Sequence, residues 1–376
     1  MTSETLQGIR ATLLLVGAII GVGMFGIPFV FVKAGILAGL GLLFLLMLLT
    51  VLFHLMYGEI VLRTNATHRL PGYVALYLGN GAGKAALLTN SVGMVGTLLA
   101  YLLLGGTFLA GLFGLELFWG YALFIFAGAL FLLFDIRHEA VVGSVLGTLL
   151  VGTILAFLAG VLPSVSRESF ILFSAEHALL PYGVLLFALS GNLIIPDLAE
   201  IAGGRVLKRA IIAGTIIPGV LYGLFALGVI GASGAGTSED ALSGLVPFLG
   251  RDMIALGQIV GLLAVFTSFI STGMVLKGTL THDLGISKKI SWALPIALPV
   301  ACAAILTAGF IEVIGFVGGV TLGLDMIFTA MVFDRARRAP GNIPDYILGI
   351  PRVAVFAVMA LMLFGVVYEA IYFFIW

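Results

Sequence analysis

Apolar residues fill one long block after another along the chain, and each block is near the roughly 20 residues that carry a helix across a bilayer. The blocks fall near 8–32, 35–63, 83–113, 118–134, 139–162, 179–202, 208–232, 251–282, 290–308, 310–333 and 351–375. None alternates apolar and polar positions as a barrel strand does. In lipid only helices and closed barrels satisfy their own backbone groups. The pattern therefore predicts an all-α integral membrane protein with 11 transmembrane helices. No polar stretch divides it, so residues 1–376 read as a single transmembrane domain. The block from Ala11 to Val32 is too long for a cleaved signal segment and lacks its small-residue cleavage pattern, so it stays as the first span.

Composition strengthens this reading. Of 376 residues, 61% are hydrophobic and 10% charged, with a mean hydropathy of +1.23. A soluble protein of this length carries far more polar surface. A formal net charge of zero argues against a nucleic-acid partner, and a single cysteine, Cys302, excludes an intrachain disulfide or a cysteine metal cluster. The cations set direction. With the N-terminus in the cytoplasm, the inner side holds Arg10, Arg63, Arg69, Lys84, Arg137, Arg205, Lys208, Arg209, Lys277, Lys288, Lys289, Arg335, Arg337, Arg338 and Arg352. Only Lys33, Arg167 and Arg251 fall outside. This is the positive-inside bias of a protein in the cell's inner or plasma membrane, with Trp376 outside. Asn65-Ala66-Thr67 matches a glycosylation acceptor but falls on the inner side, as a chance match does.

Two spans are unlike the others. The first carries Gly17-Ala18-Ile19-Ile20-Gly21-Val22-Gly23-Met24-Phe25-Gly26-Ile27-Pro28, and the sixth Ala188-Leu189-Ser190-Gly191-Asn192-Leu193-Ile194-Ile195-Pro196-Asp197. An offset of 168 residues aligns Gly23 with Gly191, Ile27 with Ile195 and Pro28 with Pro196. Proline removes a backbone donor and glycine eases departure from helical geometry, so both spans are predicted to break in mid-membrane. The copies lie five spans apart and so run in opposite directions. Inverted repeats with broken helices in matching positions point to a transporter binding site. The repeats cover about 8–162 and 179–333, and the helix at about 351–375 is an addition. Gly17 and Gly21 also fit a helix-packing motif, but packing alone does not explain the matched pair. Gly21-Val22-Gly23-Met24-Phe25-Gly26 has the dinucleotide-binding spacing, yet it sits inside a membrane span instead of after a strand.

At each break a half-helix offers free N–H groups that suit a carboxylate, and its neighbour offers carbonyls that suit an ammonium group or a cation. The predicted binding residues are Ile20, Gly21, Val22, Gly23 and Met24 in the first span and Ala188, Leu189, Ser190, Gly191 and Asn192 in the sixth. The donors of the first break are expected around Val22, Gly23 and Met24. Donors and acceptors side by side suit a zwitterion such as an amino acid. Thr267, Ser268, Ser271 and Thr272 pair at helical-turn spacing in the eighth span. With the carbonyls of Gly17 and Ile20 they are candidates for an Na⁺ cage, although such hydroxyls also bond back to their own helix. Buried acids are costly, about 2.5–3.5 kcal/mol for mid-helix Asp on insertion scales. Asp325, with Lys277 as its candidate partner, and Glu59 are therefore the proton-relay candidates, a structural ion pair being the other reading. The predicted cofactor set is empty apart from Na⁺ or H⁺ as coupling ion.

The run Val16 to Phe29, followed by Lys33-Ala34-Gly35, resembles the first helix of the aromatic (hydroxy/aromatic) amino acid permeases and the related amino acid/auxin permeases. Phe187-Ala188-Leu189-Ser190-Gly191-Asn192 with Ile195-Pro196-Asp197 is similar to their sixth helix, where His-Asn and Pro-Glu are commoner. Tyr57-Gly58-Glu59 with Leu62-Arg63 resembles the end of their second helix, Thr267-Ser268-Phe269 their eighth, and Gly315 with Gly318-Gly319 their tenth. The resemblance implies a LeuT-type 5+5 inverted repeat and secondary active amino acid transport, H⁺- or Na⁺-coupled. Spans 1, 2, 6 and 7 would rock against spans 3, 4, 8 and 9. Related proton-coupled transporters use a lysine in the fifth helix, and residues 139–162 contain none. Rival readings are a LeuT-type carrier of a nucleobase or a metal ion, a channel, or a membrane enzyme. A metal cage would want Asp, Asn and Met at the breaks, which offer only Asn192 and Met24, and no span end shows a clustered His/Asp/Glu set expected of an enzyme.

Overall fold

The computed structural model describes residues 3–64, 67–133, 139–339 and 341–375. Arg137, Trp376 and the Asn65-Ala66 part of the glycosylation match lie outside them. The first span is two half-helices. α1 (Ser3–Ile19) stops at Ile20–Gly21, and the chain resumes as a 3-10 turn over Val22–Gly26 and then α2 (Ile27–Ala34), bent by 50°. Pro28 lies in the first turn of α2, where its missing N–H costs nothing, so proline starts the second half instead of marking the gap. The sixth span repeats this plan. α8 (Pro181–Ala188) stops before Leu189–Gly191, and a 3-10 turn over Asn192–Ile194 leads into α9 (Ile195–Ile201), which has Pro196 in its first turn.

Between these lie α3 (Ile36–Arg63), α4 (Leu70–Leu78), α5 (Asn80–Phe113), α6 (Leu117–Leu133) and α7 (Glu139–Val161). After them come α10 (Gly204–Ser233), α11 (Val246–His282) and α12 (Lys288–Ile305). The chain then forms α13 (Phe310–Phe316), a π-helical turn over Val317–Leu322, α14 (Gly323–Ala336) and α15 (Arg352–Ile375). Helix occupies every predicted block, and no strand occurs among the described residues. By length and apolarity, 8 of the described helices suffice to cross a membrane, and the bent α1/α2 pair makes a ninth. α6 and the stretch Leu149–Ser164 are shorter. The short helix α4 falls in a segment that hydropathy leaves as a loop.

Left-handed glycines extend the internal echo beyond the two breaks. Gly35, Gly79 and Gly114 have positive φ, and so do Gly204, Gly250 and Gly285, which follow them by 169, 171 and 171 positions. Gly35 separates α2 from α3, and Gly204 opens α10 after α9. Gly79 divides α4 from α5, while Gly250 puts a non-helical kink between the first turn of α11 and its long remainder. Gly114 and Gly285 follow α5 and α11. The two halves thus share their corners as well as their breaks, as a LeuT-type 5+5 inverted repeat requires.

Packing follows two groups. α10 packs along α1 and α3, and α3 meets α8; α5 packs along α11 and α6, and α12 joins α11. Across the middle, α8 meets the π-helical turn so closely that a Cβ on Gly318 would lie 1.8 Å from the carbonyl oxygen of Gly183. Only glycine allows that approach. The segment before α15 is tied down by α3: Tyr346 donates to the Leu55 carbonyl at 3.0 Å, and the Leu348 N–H to Glu59 at 2.6 Å.

Candidate binding site at the two helix breaks

The breaks touch. A Cβ on Gly23 would come within 2.6 Å of the Ala188 Cα, so the two interruptions pack backbone to backbone. They open onto one cavity of about 180 Å³. In the first break the N–H groups of Val22 and Gly23 have no backbone partner, the Gly21 backbone engages the Tyr222 hydroxyl, and Met24 donates to the Gly21 carbonyl at 3.4 Å. Of the expected donors Val22, Gly23 and Met24, Met24 is thus taken up by the chain itself and Val22 and Gly23 stay open. In the second break the N–H groups of Gly191, Asn192 and Leu193 are likewise without a backbone partner. No backbone N–H reaches the carbonyls of Gly17, Ala18 or Ile20. Buried backbone groups are nearly always paired, so unpaired ones lining a cavity are aimed at water or a ligand.

One side chain joins the breaks. The Tyr222 hydroxyl donates to the Ile19 carbonyl at 2.7 Å and lies 3.2 Å from that of Ala188, the last residues of the two outgoing half-helices. Sequence reasoning had passed over this buried tyrosine of α10.

Of the sequence-predicted binding residues, Ile20, Gly21, Val22, Gly23, Ala188, Ser190 and Asn192 line the cavity. Ser190 donates to the Asn192 side-chain oxygen at 3.1 Å. Met24, Leu189 and Gly191 are buried and do not line it. Of the ion candidates, Gly17, Ile20, Ser268 and Thr272 reach the cavity. Thr267 and Ser271 lie on the adjoining face of α11, and the Thr267 hydroxyl bonds back to Leu263 and Ala264 at 3.0 and 3.1 Å.

The two acids part company. Asp325 is buried on the cavity wall, receives Asn90 Nδ2 at 3.4 Å, and keeps Oδ1 without a hydrogen bond. Glu59 is elsewhere, held by Arg63 at 2.7 Å and by the Leu348 N–H. Lys277 donates to the Leu132 carbonyl at 3.2 Å.

Sequence reasoning missed a third wall. Asn90, Thr97 and Tyr101 come from α5, and Thr321 and Leu322 from the π-helical segment. The Tyr101 hydroxyl engages the hydroxyls of Thr272 and Ser268. A signal existed: Thr97 and Tyr101 precede Ser268 and Thr272 by the same 171 positions that separate Gly79 from Gly250. Phe187, Met94 and Val317 complete an apolar side.

Arg69, just before α4, reaches the second break. Its guanidinium donates to the carbonyl of Leu193, itself a lining residue, and pairs with Asp197 at 3.2 Å.

Residues 4–371 match the tryptophan/tyrosine permease family. Comparison with curated protein sequences returned no match. Among solved structures, a manganese transporter from Eremococcus coleocola is 13% identical with a TM-score of 0.70, covering 100% of this chain and 88% of that one. MhsT in complex with L-phenylalanine is 15% identical with a TM-score of 0.63, covering 97% and 98%. Mhp1, a nucleobase-cation-symport-1 family transporter in a closed conformation with bromovinylhydantoin bound, is 12% identical with a TM-score of 0.65, covering 96% and 92%. At these identities the likeness is one of fold.

Proposed function

Because the chain belongs to the tryptophan/tyrosine permease family, and so is a multi-pass secondary transporter of amino acids, we propose that it carries an aromatic amino acid by proton-coupled alternating access. The observation that carries this reading is the pair of touching breaks whose unpartnered N–H groups face one cavity. The substrate carboxylate takes the N–H groups of Val22 and Gly23, next to the positive end of a half-helix. The ammonium group takes the open carbonyls of Gly17, Ala18 and Ile20 with the Ser190–Asn192 pair. The ring packs against Phe187, Met94 and Val317, an apolar side that suits a planar side chain.

Asp325 carries the coupling proton. A carboxylate in mid-membrane with one oxygen unpartnered is expensive when charged and cheap when protonated, and this one faces the substrate cavity. Ser268 and Thr272 with the Gly17 and Ile20 carbonyls offer the rival Na⁺ arrangement.

The group α1, α2, α3, α8, α9 and α10 rocks against α5, α6, α11 and α12, in line with the two packing groups of the fold. The N-terminus faces the cytoplasm of the cell membrane, as the cation distribution favours. Proteoliposome uptake of labelled tryptophan, tyrosine and phenylalanine, driven separately by a pH gradient and an Na⁺ gradient, tests both parts. Uptake of an aromatic amino acid under the pH gradient alone is expected. Uptake of other amino acids only would overturn the substrate class, and a strict Na⁺ requirement would overturn the proton.

A further inference from the structure

We infer that the start of α10 holds an anionic phospholipid headgroup. Arg205, Lys208 and Arg209 occupy one face of its first two turns, at the i, i+3, i+4 spacing that brings side chains together. They line a hollow of about 380 Å³ whose far wall is Asp345–Ile347, in the segment before α15. None of the three is ion-paired among the described residues. Five arginines elsewhere in the chain are each engaged by an acid. Arg63 is paired with Glu59, Arg69 with Asp197, and Arg337, Arg338 and Arg352 all with Asp334. Asp345 offsets one of the three charges and leaves the hollow cationic.

The rest of the hollow argues for a lipid over a free anion. Ile212, one turn deeper in the same helix, and Ile347 give it an apolar floor and edge. Ile347 is 57% exposed and its neighbour Ile343 85% exposed, in a chain that lies in a bilayer. A phosphodiester would sit among the cations while its acyl chains run down past Ile212. Basic pockets between transmembrane helices bind anionic headgroups in this way. Free phosphate would use the cations and leave the apolar edge without a purpose.

The full chain would be purified in detergent and delipidated. Native mass spectrometry would then count phosphatidylglycerol and phosphatidylcholine retained from an equal mixture. Three forms are compared: the unaltered protein, Arg205→Gln/Lys208→Gln/Arg209→Gln, and Lys288→Gln/Lys289→Gln, which removes cations elsewhere in the chain. Phosphatidylglycerol is expected to outlast phosphatidylcholine on the unaltered protein and on the Lys288/Lys289 variant. The triple variant is expected to hold it at least about tenfold more weakly. Equal retention of the two lipids by the unaltered protein, or equal loss in both variants, would overturn the inference. So would displacement of phosphatidylglycerol by millimolar inorganic phosphate, which marks a free-anion site. The lipid and phosphate competitions on the unaltered protein decide the matter even if the triple variant fails to fold.

Discussion

The hydroxyl of Tyr222 donates to the carbonyl of Ile19 at 2.7 Å, at the point where the first helix breaks, and Ala188 of the other break lies 3.2 Å away. One phenol on α10 therefore satisfies the end of one half-helix and steadies the other. Tyr222→Phe keeps the buried ring and removes only the bond. A buried hydrogen bond contributes about 0.5–1.5 kcal/mol net, so the melting temperature should fall modestly. The KM for the substrate should rise severalfold, because the breaks lose their common tether. A variant with unaltered KM would mean that the tether has no part in shaping the site.

Gly23 tests the contact between the breaks. A Cβ there would stand 2.6 Å from the Ala188 Cα, and backbone cannot swing aside as a flexible side chain can. Gly23→Ala should insert and fold yet lose most substrate binding by calorimetry. Gly41 is the control, since a Cβ at that position meets nothing within 4 Å and the residue does not line the cavity. Gly41→Ala should bind substrate within about twofold of the unaltered protein, a surface change of under about 0.5 kcal/mol. Equal behaviour of the two variants would remove the contact from the account.

The breaks were legible in the sequence because glycine and proline act on the backbone itself. Gly23, Gly191, Pro28 and Pro196 speak through φ, ψ and a missing donor, which need no tertiary context. Ser268 and Thr272 were legible through helical spacing, but the same spacing admitted Thr267 and Ser271, and only packing decides which face turns inward. Asn90, Thr97 and Tyr101 are lone polar groups in a long apolar helix and look there like ordinary helix glue. Projecting Ser268 and Thr272 back through the repeat would have reached Thr97 and Tyr101. Tyr222 has no repeat partner in the site and no local signature. Its role exists only once α1, α8 and α10 are packed.

Asp325 should separate chemistry from scaffold. Asp325→Asn preserves shape and the contact with Asn90 while removing the titratable group. Uptake driven by a pH gradient is expected to disappear, while exchange of substrate across the membrane continues. Loss of both activities would make Asp325 a substrate ligand instead of a proton carrier.

Glu369 is the counter-case. It is also buried, with Oε2 unpartnered, but it lies on the other side of the tenth span, against Gly315 and Gly319. It does not line the cavity. Glu369→Gln should therefore leave pH-driven uptake intact and hold thermal stability, because a neutral isostere keeps the buried shape. Glu369→Ala should lower stability by opening a void. Loss of pH-driven uptake in Glu369→Gln would move the proton path to α15.

Arg69 ties the start of α4 to the second break and does little for folding. Its ion pair with Asp197 is about half exposed on both sides, and exposed pairs contribute about 0–1 kcal/mol. The bond to the Leu193 carbonyl matters more for access, because that carbonyl belongs to the break and Leu193 lines the cavity. Arg69→Gln should therefore leave the melting temperature nearly unchanged and loosen the end of the cavity beside α9. The check uses Ser190→Cys in a Cys302→Ser background, so that the only thiol sits in the site. A membrane-impermeant reagent applied from the α9 side should modify Ser190→Cys severalfold faster when Arg69 is replaced. Saturating substrate should slow the reaction in both backgrounds. Equal rates with and without Arg69 would show that the guanidinium merely decorates the surface and that closure lies with the half-helices themselves.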